Sequence, residues 1–374
     1  MPNKAPAEIG MQLWEIDTPS LILDLDKLES NLDVMSKSAD DLGVKLRPHA
    51  KMHKSADIGK QQIARGAVGL CCQKVSEAEA LIDDGIKDVL VTNQVVGANK
   101  LKRFVELANR AKVAICVDDA ENIAEINRCA EEQDVSISIF IEVNVGGDRC
   151  GVLPGKPVLD LAKDILDASN LCFDGLHAYQ GEIQHIRSFE ERKIAISDVC
   201  QRVESTIQLL KSEGISCRTV TGGGTGSWEF EGSSGVFSEL QVGSYAFMDA
   251  DYGRNEDING QQASIFEHSL FVYTTVMSVS QENLVVVDAG LKSLAFDCGM
   301  PLVADDSTVK YHRPSDEHGV LDLSHSDRKY QLGEKVRLIP GHCDPTVNLH
   351  DWYVGVRGGV VEAIWKVTAR GAVF

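Results

Sequence analysis

Between about residue 44 and residue 245, short apolar runs alternate with longer amphipathic stretches. The runs at 44–48, 69–73, 88–93, 113–117, 136–145, 173–179, 217–222 and 239–245 are rich in branched apolar residues and too short for helices, so they are predicted as strands. The stretches at 54–65, 76–84, 98–109, 119–131, 157–168 and 188–212 space their apolar residues as one face of a helix does. Several follow an acidic or hydroxyl residue suited to an N-cap. Only the gap before the last strand shows no convincing helix. Eight such alternations predict an α/β fold built on a (β/α)8 barrel rather than a doubly wound sheet.

The pattern changes after about residue 265. Runs at 269–278, 283–288, 334–338 and 360–366 read as strands separated by Gly, Asp and Ser turns, with no good helix between them. The early run at 19–26 is expected to add a strand to this C-terminal all-β domain before a helix over 27–42. The expected domains are a barrel at 27–262 and a β domain made of 1–26 plus 263–374.

A chain of 374 residues exceeds the usual size of a single core, which agrees with this division. Hydrophobic content of 43% and charged content of 25% are those of an ordinary soluble protein. The formal net charge of -19 argues against nucleic-acid and anionic-membrane partners, so any bound phosphate must be held by local donors. Residues 1–8 lack the apolar core of a signal peptide, and no stretch approaches the length of a membrane span. The ten cysteines are scattered, without a CxxC pair, and read as reduced thiols. The expected location is the cytoplasm.

The octapeptide from Arg47 to Lys54 carries the sharpest chemistry. In an extended strand Arg47, His49 and Lys51 point to one side. A lysine beside other cations is disfavoured as ammonium, which lowers its pKa and makes it a better nucleophile toward a carbonyl cofactor such as pyridoxal phosphate. A solvated basic strand end is the alternative. In a barrel, phosphate is commonly held after the seventh and eighth strands. Here those places carry Thr221, Gly222, Gly223, Gly224 and Thr225, and then Gly243, Ser244 and Tyr245. Glycines let backbone amides approach an anion, and the hydroxyls add donors. Glycines on both sides of Arg149 suggest a backbone bent to turn its guanidinium inward, toward the cofactor's phenolate oxygen; a surface ion pair is the alternative. Tyr179, on one face with His177, could flank the ring or donate a hydrogen bond; a structural aromatic at the barrel mouth is the alternative. In the β domain His342 and Asp344, two apart in extended backbone, share a face and suit a divalent ion. Mn²⁺ is the first choice, with Mg²⁺, Co²⁺ or Zn²⁺ as others, and His350-Asp351 is a decoy or a supporting pair.

These residues together resemble a known family. The run Thr18-Pro19-Ser20, the block from Arg47 to Lys54, the glycine loop at 222–226 and the Pro-Gly-His-Cys-Asp-Pro-Thr-Val-Asn stretch from Pro340 are similar to D-threonine aldolases, within the alanine-racemase-like, fold-type III pyridoxal phosphate enzymes. The resemblance implies that Lys51 carries the cofactor beside His49, Arg149 and Tyr179, that the two glycine loops hold its phosphate, and that His342 with Asp344 binds the metal. It further implies His185 as the base acting on the substrate hydroxyl, a D-β-hydroxy-α-amino acid as substrate, and a homodimer. D-serine and D-threo-3-hydroxyaspartate dehydratases are the alternative. They typically place a cysteine where this chain has Asp344. A non-catalytic pyridoxal-phosphate-binding protein is a remoter alternative, which the β domain and the metal motif count against.

Overall fold

In the computed structural model, residues 4–374 are described; of the opening segment 1–8, residues 1–3 lie outside them. A 3-10 turn (Leu13–Glu15) precedes β1 (Ser20–Asp24) and α1 (Leu25–Leu42). The α/β repeat then runs through β2 (Lys45–Leu46), α2 (Ala56–Ala64), β3 (Leu70–Cys72), α3 (Val75–Asp83), β4 (Asp88–Val91), α4 (Ala98–Glu106), β5 (Lys112–Val117) and α5 (Ala120–Glu132). It continues through β6 (Ile137–Glu142), α6 (Lys156–Asp167), β7 (Leu171–Ala178), α7 (Phe189–Ser212), β8 (Thr219–Gly222), α8 (Trp228–Ser233) and β9 (Glu239–Leu240). Asp24, Asp119 and Ser188 cap α1, α5 and α7 through side-chain oxygens, as the acidic and hydroxyl pattern predicted. The gap expected to lack a helix holds the short α8, whose six residues are too few to show periodicity.

Strands β2 to β9 pair in parallel in the order β2-β9-β8-β7-β6-β5-β4-β3. A parallel bridge between His49 and Cys71 joins the two ends and closes the barrel. Alternation along the strands sorts the residues. Val113, Ile115, Val117, Ile137, Ile139 and Ile141 pack outward with the helices, whereas Cys71, Leu90, Ala114, Cys116 and Phe140 fill the interior.

The remaining strands are β10 (Leu270–Gln281), β11 (Leu284–Val287), β12 (Leu302–Val303), β13 (Lys310–Pro314), β14 (Gly319–Asp322), β15 (Lys335–Ile339), β16 (Trp352–Arg357) and β17 (Val360–Lys366), with one helical turn, α9 (Cys343–Val347), after β15. That turn corrects the expectation of no helix in this region. The strands form one sheet ordered β11-β14-β13-β12-β15-β10-β1-β16-β17, and an extra β10–β11 pairing closes its first six into a small antiparallel barrel. β1 sits inside this sheet, antiparallel to β10 and parallel to β16. Apolar residues of α1, including Leu28, Leu32 and Met35, share a core with Leu21, Val272, Leu338 and Tyr353 of the sheet, which fastens it to the barrel. Among the described residues no helix is long and apolar enough to cross a membrane, and the ten cysteines are all free.

Candidate active site

The local sequence explains why Lys51 leaves the barrel wall. Pro48 has no amide proton to give to a ladder. Its carbonyl accepts from Cys71, and His49 N–H donates to Val242 O before the chain turns over 50–53. The turn places Lys51 at the barrel mouth, in a cavity of about 430 Å³ that also takes in His49, Arg149, Tyr179, His185, Gly223, Gly224, Thr225, Gly243, Ser244, His342 and Asp344. The chain therefore brings most of the predicted site residues together. Lys54 turns the other way. Its Nζ lies 2.6 Å from Glu77 Oε1 and donates to the carbonyls of Ala369 and Ala372.

The electrostatics of Lys51 differ from the expectation. Arg47 points into the barrel floor, 3.0 Å from Glu239 and 2.5 Å from Asp88, so its charge is neutralised. Burial, with Lys51 nearby, holds His49 well below its usual pKa, leaving a neutral imidazole. Burial would also lower the pKa of Lys51, but the Asp344 carboxylate, directly paired with its Nζ, raises it instead. The same contact pulls Asp344 down against the effect of burial. The decisive group lies 293 residues away in sequence.

His342 is extended, but Asp344 already lies in the first turn of α9, so the pair meets across a helix start and not along a strand. His342 Nε2 lies 3.8 Å from Asp344 Oδ1, a buried oxygen with no hydrogen-bond partner. Asp297 Oδ2 accepts from His342 Nδ1 at 2.7 Å, which leaves the Nε2 lone pair for that side. A divalent ion fits an orphaned carboxylate oxygen facing an imidazole nitrogen. Asp297, Cys298 and His342 also form one of two close groups of ligand-type side chains among the described residues; the other is Cys116, Glu142 and His177 in the barrel interior. Cys343 faces the core, its Sγ on Met248 O. His350 binds Ser293 O, away from the cavity.

The loop after β8 suits an anion. Its Gly226 amide is taken by Gln184 Oε1, while those of Gly224 and Thr225 have no partner among the described residues. A Cβ on Gly224 would come within 2.4 Å of the Gln184 side-chain amide, so a larger residue there would displace the group that holds the Gly226 amide. Thr225 Oγ1 receives the Tyr245 amide. Three predicted phosphate-loop positions do not line the cavity. Thr221 binds Glu239 and Gln241 below it; Gly222 lies in the strand, packed against Ala178 O; and the Tyr245 ring is buried against Phe266, its hydroxyl bonded to Gln62. Thr221 and Gly222 still belong to β8, and Tyr245 sits in a 3-10 turn (Ser244–Ala246) with its ring in the core, so each motif extends past the residues that line the mouth. Arg149 reaches the cavity because Gly151, at φ +98°, lets the chain pass Glu142 O and Asn144 N more closely than a Cβ allows. Its guanidinium stands 5.8 Å from the Tyr179 ring.

Comparison with known proteins gives the family. Residues 23–251 match the family model "Alanine racemase, N-terminal domain", and residues 269–356 match "Putative serine dehydratase domain". A 3-hydroxy-D-aspartate aldolase of Paracoccus denitrificans (strain Pd 1222) is 49% identical over 98% of this chain and 95% of its own. The chain belongs to the alanine-racemase-like family of fold-type III pyridoxal phosphate enzymes. Another similar member, a crystal structure of D-threonine aldolase from Filomicrobium marinum, superposes with a TM-score of 0.96 at 48% identity, covering 99% of this chain and 100% of that one. A D-threo-3-hydroxyaspartate dehydratase of Delftia sp. (strain HT23) is 24% identical over 89% of this chain and 92% of its own. The family's cofactor, pyridoxal phosphate, fits the cavity: a lysine at its mouth, unpartnered amides on a glycine loop and a guanidinium on the opposite wall.

Sequence reading missed several neighbours of the site. Asp251 accepts from His185 Nδ1 at 2.6 Å, Asp297 supports His342, and Thr92 faces His49 Nε2 at 3.0 Å. None has a local motif, because each is defined only by a partner far along the chain.

Proposed function

We propose that the protein is a pyridoxal-phosphate- and divalent-metal-dependent aldolase that cleaves D-β-hydroxy-α-amino acids to glycine and an aldehyde. The carrying observation is the Asp344 carboxylate, with one oxygen on Lys51 and the other unpartnered beside His342 Nε2. It joins the lysine and the metal pair in one cavity. A hard carboxylate suits Mn²⁺, with Mg²⁺, Co²⁺ or Zn²⁺ as substitutes, and the one cysteine inside the motif faces the core.

In this reading Lys51 anchors the cofactor, the amides of Gly224 and Thr225 with the Ser244 hydroxyl receive its phosphate, and Arg149 and Tyr179 hold its ring. Bound there, pyridoxal phosphate supplies an electron sink for the pair released from the Cα–Cβ bond. An ion on His342 and Asp344 supplies a Lewis acid for the substrate hydroxyl. His185 Nε2 accepts the hydroxyl proton as the hydroxyl carbon becomes an aldehyde carbon. The reading includes a cytoplasmic homodimer. It is supported by names as well as geometry, since the similar proteins at 48–49% identity are aldolases.

Incubation of the loaded enzyme with D-threonine should release glycine and acetaldehyde in equal amounts. D-3-hydroxyaspartate should give glycine and glyoxylate, and the ratio of the two rates sets the preferred side chain. Release of 2-oxobutanoate and ammonia from D-threonine as the main products would replace the aldolase reading with a dehydratase.

A further inference from the structure

His185 ends a short 3-10 helix (Glu182–His185) at the cavity wall, with half its side chain exposed. Nothing in that helix orients the ring. The contact that does comes from a loop 66 residues later, where Asp251 Oδ2 lies 2.6 Å from His185 Nδ1. The Asp251 side chain is only 4% exposed. Its other oxygen is bound by Arg187, at 2.5 Å, and by Arg254, and its amide donates to Asp249 Oδ1. Arg187 is itself fixed by the Asp251 carbonyl and by Asn255 Oδ1. Burial opposes ionisation of the Asp251 carboxyl, but Arg187 and the His185 contact hold it below its usual pKa. An ionised carboxylate only accepts hydrogen bonds, so the nitrogen facing it must carry the proton.

We propose that Asp251 is the positioning residue for His185: it holds the imidazole as the Nδ1–H tautomer and aims the unprotonated Nε2 into the cavity. This rests on His185 acting as the proton acceptor. The carboxylate touches no reacting atom. It removes the competing tautomer, in which Nε2 carries a proton and cannot accept one, and it restrains a ring that its own short helix leaves loose. Arg187 and Arg254 fix the carboxylate in turn, so the device is a chain from two guanidiniums through Asp251 to His185.

The test has a spectroscopic arm and a kinetic arm. In the cofactor-loaded enzyme with diamagnetic Mg²⁺, ¹⁵N-histidine long-range correlation spectra at pH 8 should show His185 protonated at Nδ1, its signals being assigned by their loss in His185→Asn. A wild-type His185 protonated at Nε2 would overturn the proposal without any Asp251 variant. Asp251→Asn should mix the tautomers and lower kcat roughly 10- to 100-fold with KM little changed. In the His185→Asn background the same change should cost less than about twofold, because its route to the chemistry is gone. An equal loss in both backgrounds would make Asp251 a structural residue and refute the proposal. Full turnover in His185→Asn alone would instead sink the reading on which it rests.

Discussion

Replacing Arg47 by methionine tests whether the basic residues before Lys51 serve catalysis or the barrel floor. Arg47 is 6% exposed and bridges Glu239 of the last barrel strand to Asp88 of β4. Removing one member of a buried ion network leaves its partner charged and unpaired, at a cost of about 3–5 kcal/mol. Asp88 keeps Lys112 at 3.2 Å, and Glu239 keeps the Thr221 hydroxyl at 2.9 Å, so the low end applies, about 3 kcal/mol. Against an unfolding entropy of about 0.8 kcal/mol/K for a chain of this length, that lowers Tm by about 4 °C. Scanning calorimetry and urea titration of the loaded enzyme measure it, and adding Glu239→Gln should restore about half the loss by removing the stranded charge. The kcat of the folded variant should stay within about twofold of wild type, since Asp344 and not Arg47 governs Lys51. A loss below about 1 kcal/mol, or a collapse of kcat in a variant of normal stability, refutes this assignment.

Borohydride reduction followed by peptide mapping should place the cofactor on Lys51; a label on Lys54, which is tied to Glu77 and the C-terminal carbonyls, would break the site as described. Chelation should abolish turnover yet leave the absorbance of the bound cofactor in place, with Mn²⁺ restoring activity; full activity after exhaustive metal removal would refute the role given to His342 and Asp344. Burial lifts Glu231 to about 7, so the folded state holds a proton there that the unfolded chain has released. Its penalty is absent at pH 4.5, grows as pH rises to 7, and levels off near 3 kcal/mol. Glu231→Gln should therefore gain on wild type in urea titrations between pH 5 and pH 8, and parallel stabilities across that range would rule the shift out.

The barrel was legible because its strands are short, apolar and regularly spaced. The interior residues Ala114, Cys116 and Phe140 and the outward Ile115 and Ile139 obey one alternation that the sequence displays directly. The β domain was legible only in part, through the runs that became β10, β11, β15 and β17. β12, β13, β14 and β16 went unseen: two residues at Leu302–Val303 carry no period, and Lys310–Pro314 is mostly polar because one side faces solvent. The site divides in the same way. Lys51, the glycine loop and the His342 motif have local signatures, and they meet in one cavity. The pKa of Lys51 was read in the wrong direction because its controlling carboxylate belongs to another domain. Asp251 and Asp297 are ordinary acidic residues until the fold sets them against an imidazole.

The place of β1 has a consequence for how the molecule is made. Leu21 pairs with Val272 on one side and Tyr353 on the other. On the ribosome those partners emerge roughly 250 and 330 residues later, and at 5–20 residues per second the second delay is about 15 to 65 s. Until β10 is made the nascent chain carries Ser20–Asp24 as an apolar strand with both edges unpaired, and one edge stays open until β16 emerges, after every strand of the barrel has been translated. The turn bearing Lys51 is likewise translated long before Asp344. Chains stalled short of the last strands therefore expose a lysine without its carboxylate and an apolar strand without its sheet, an open edge of the kind that invites aggregation.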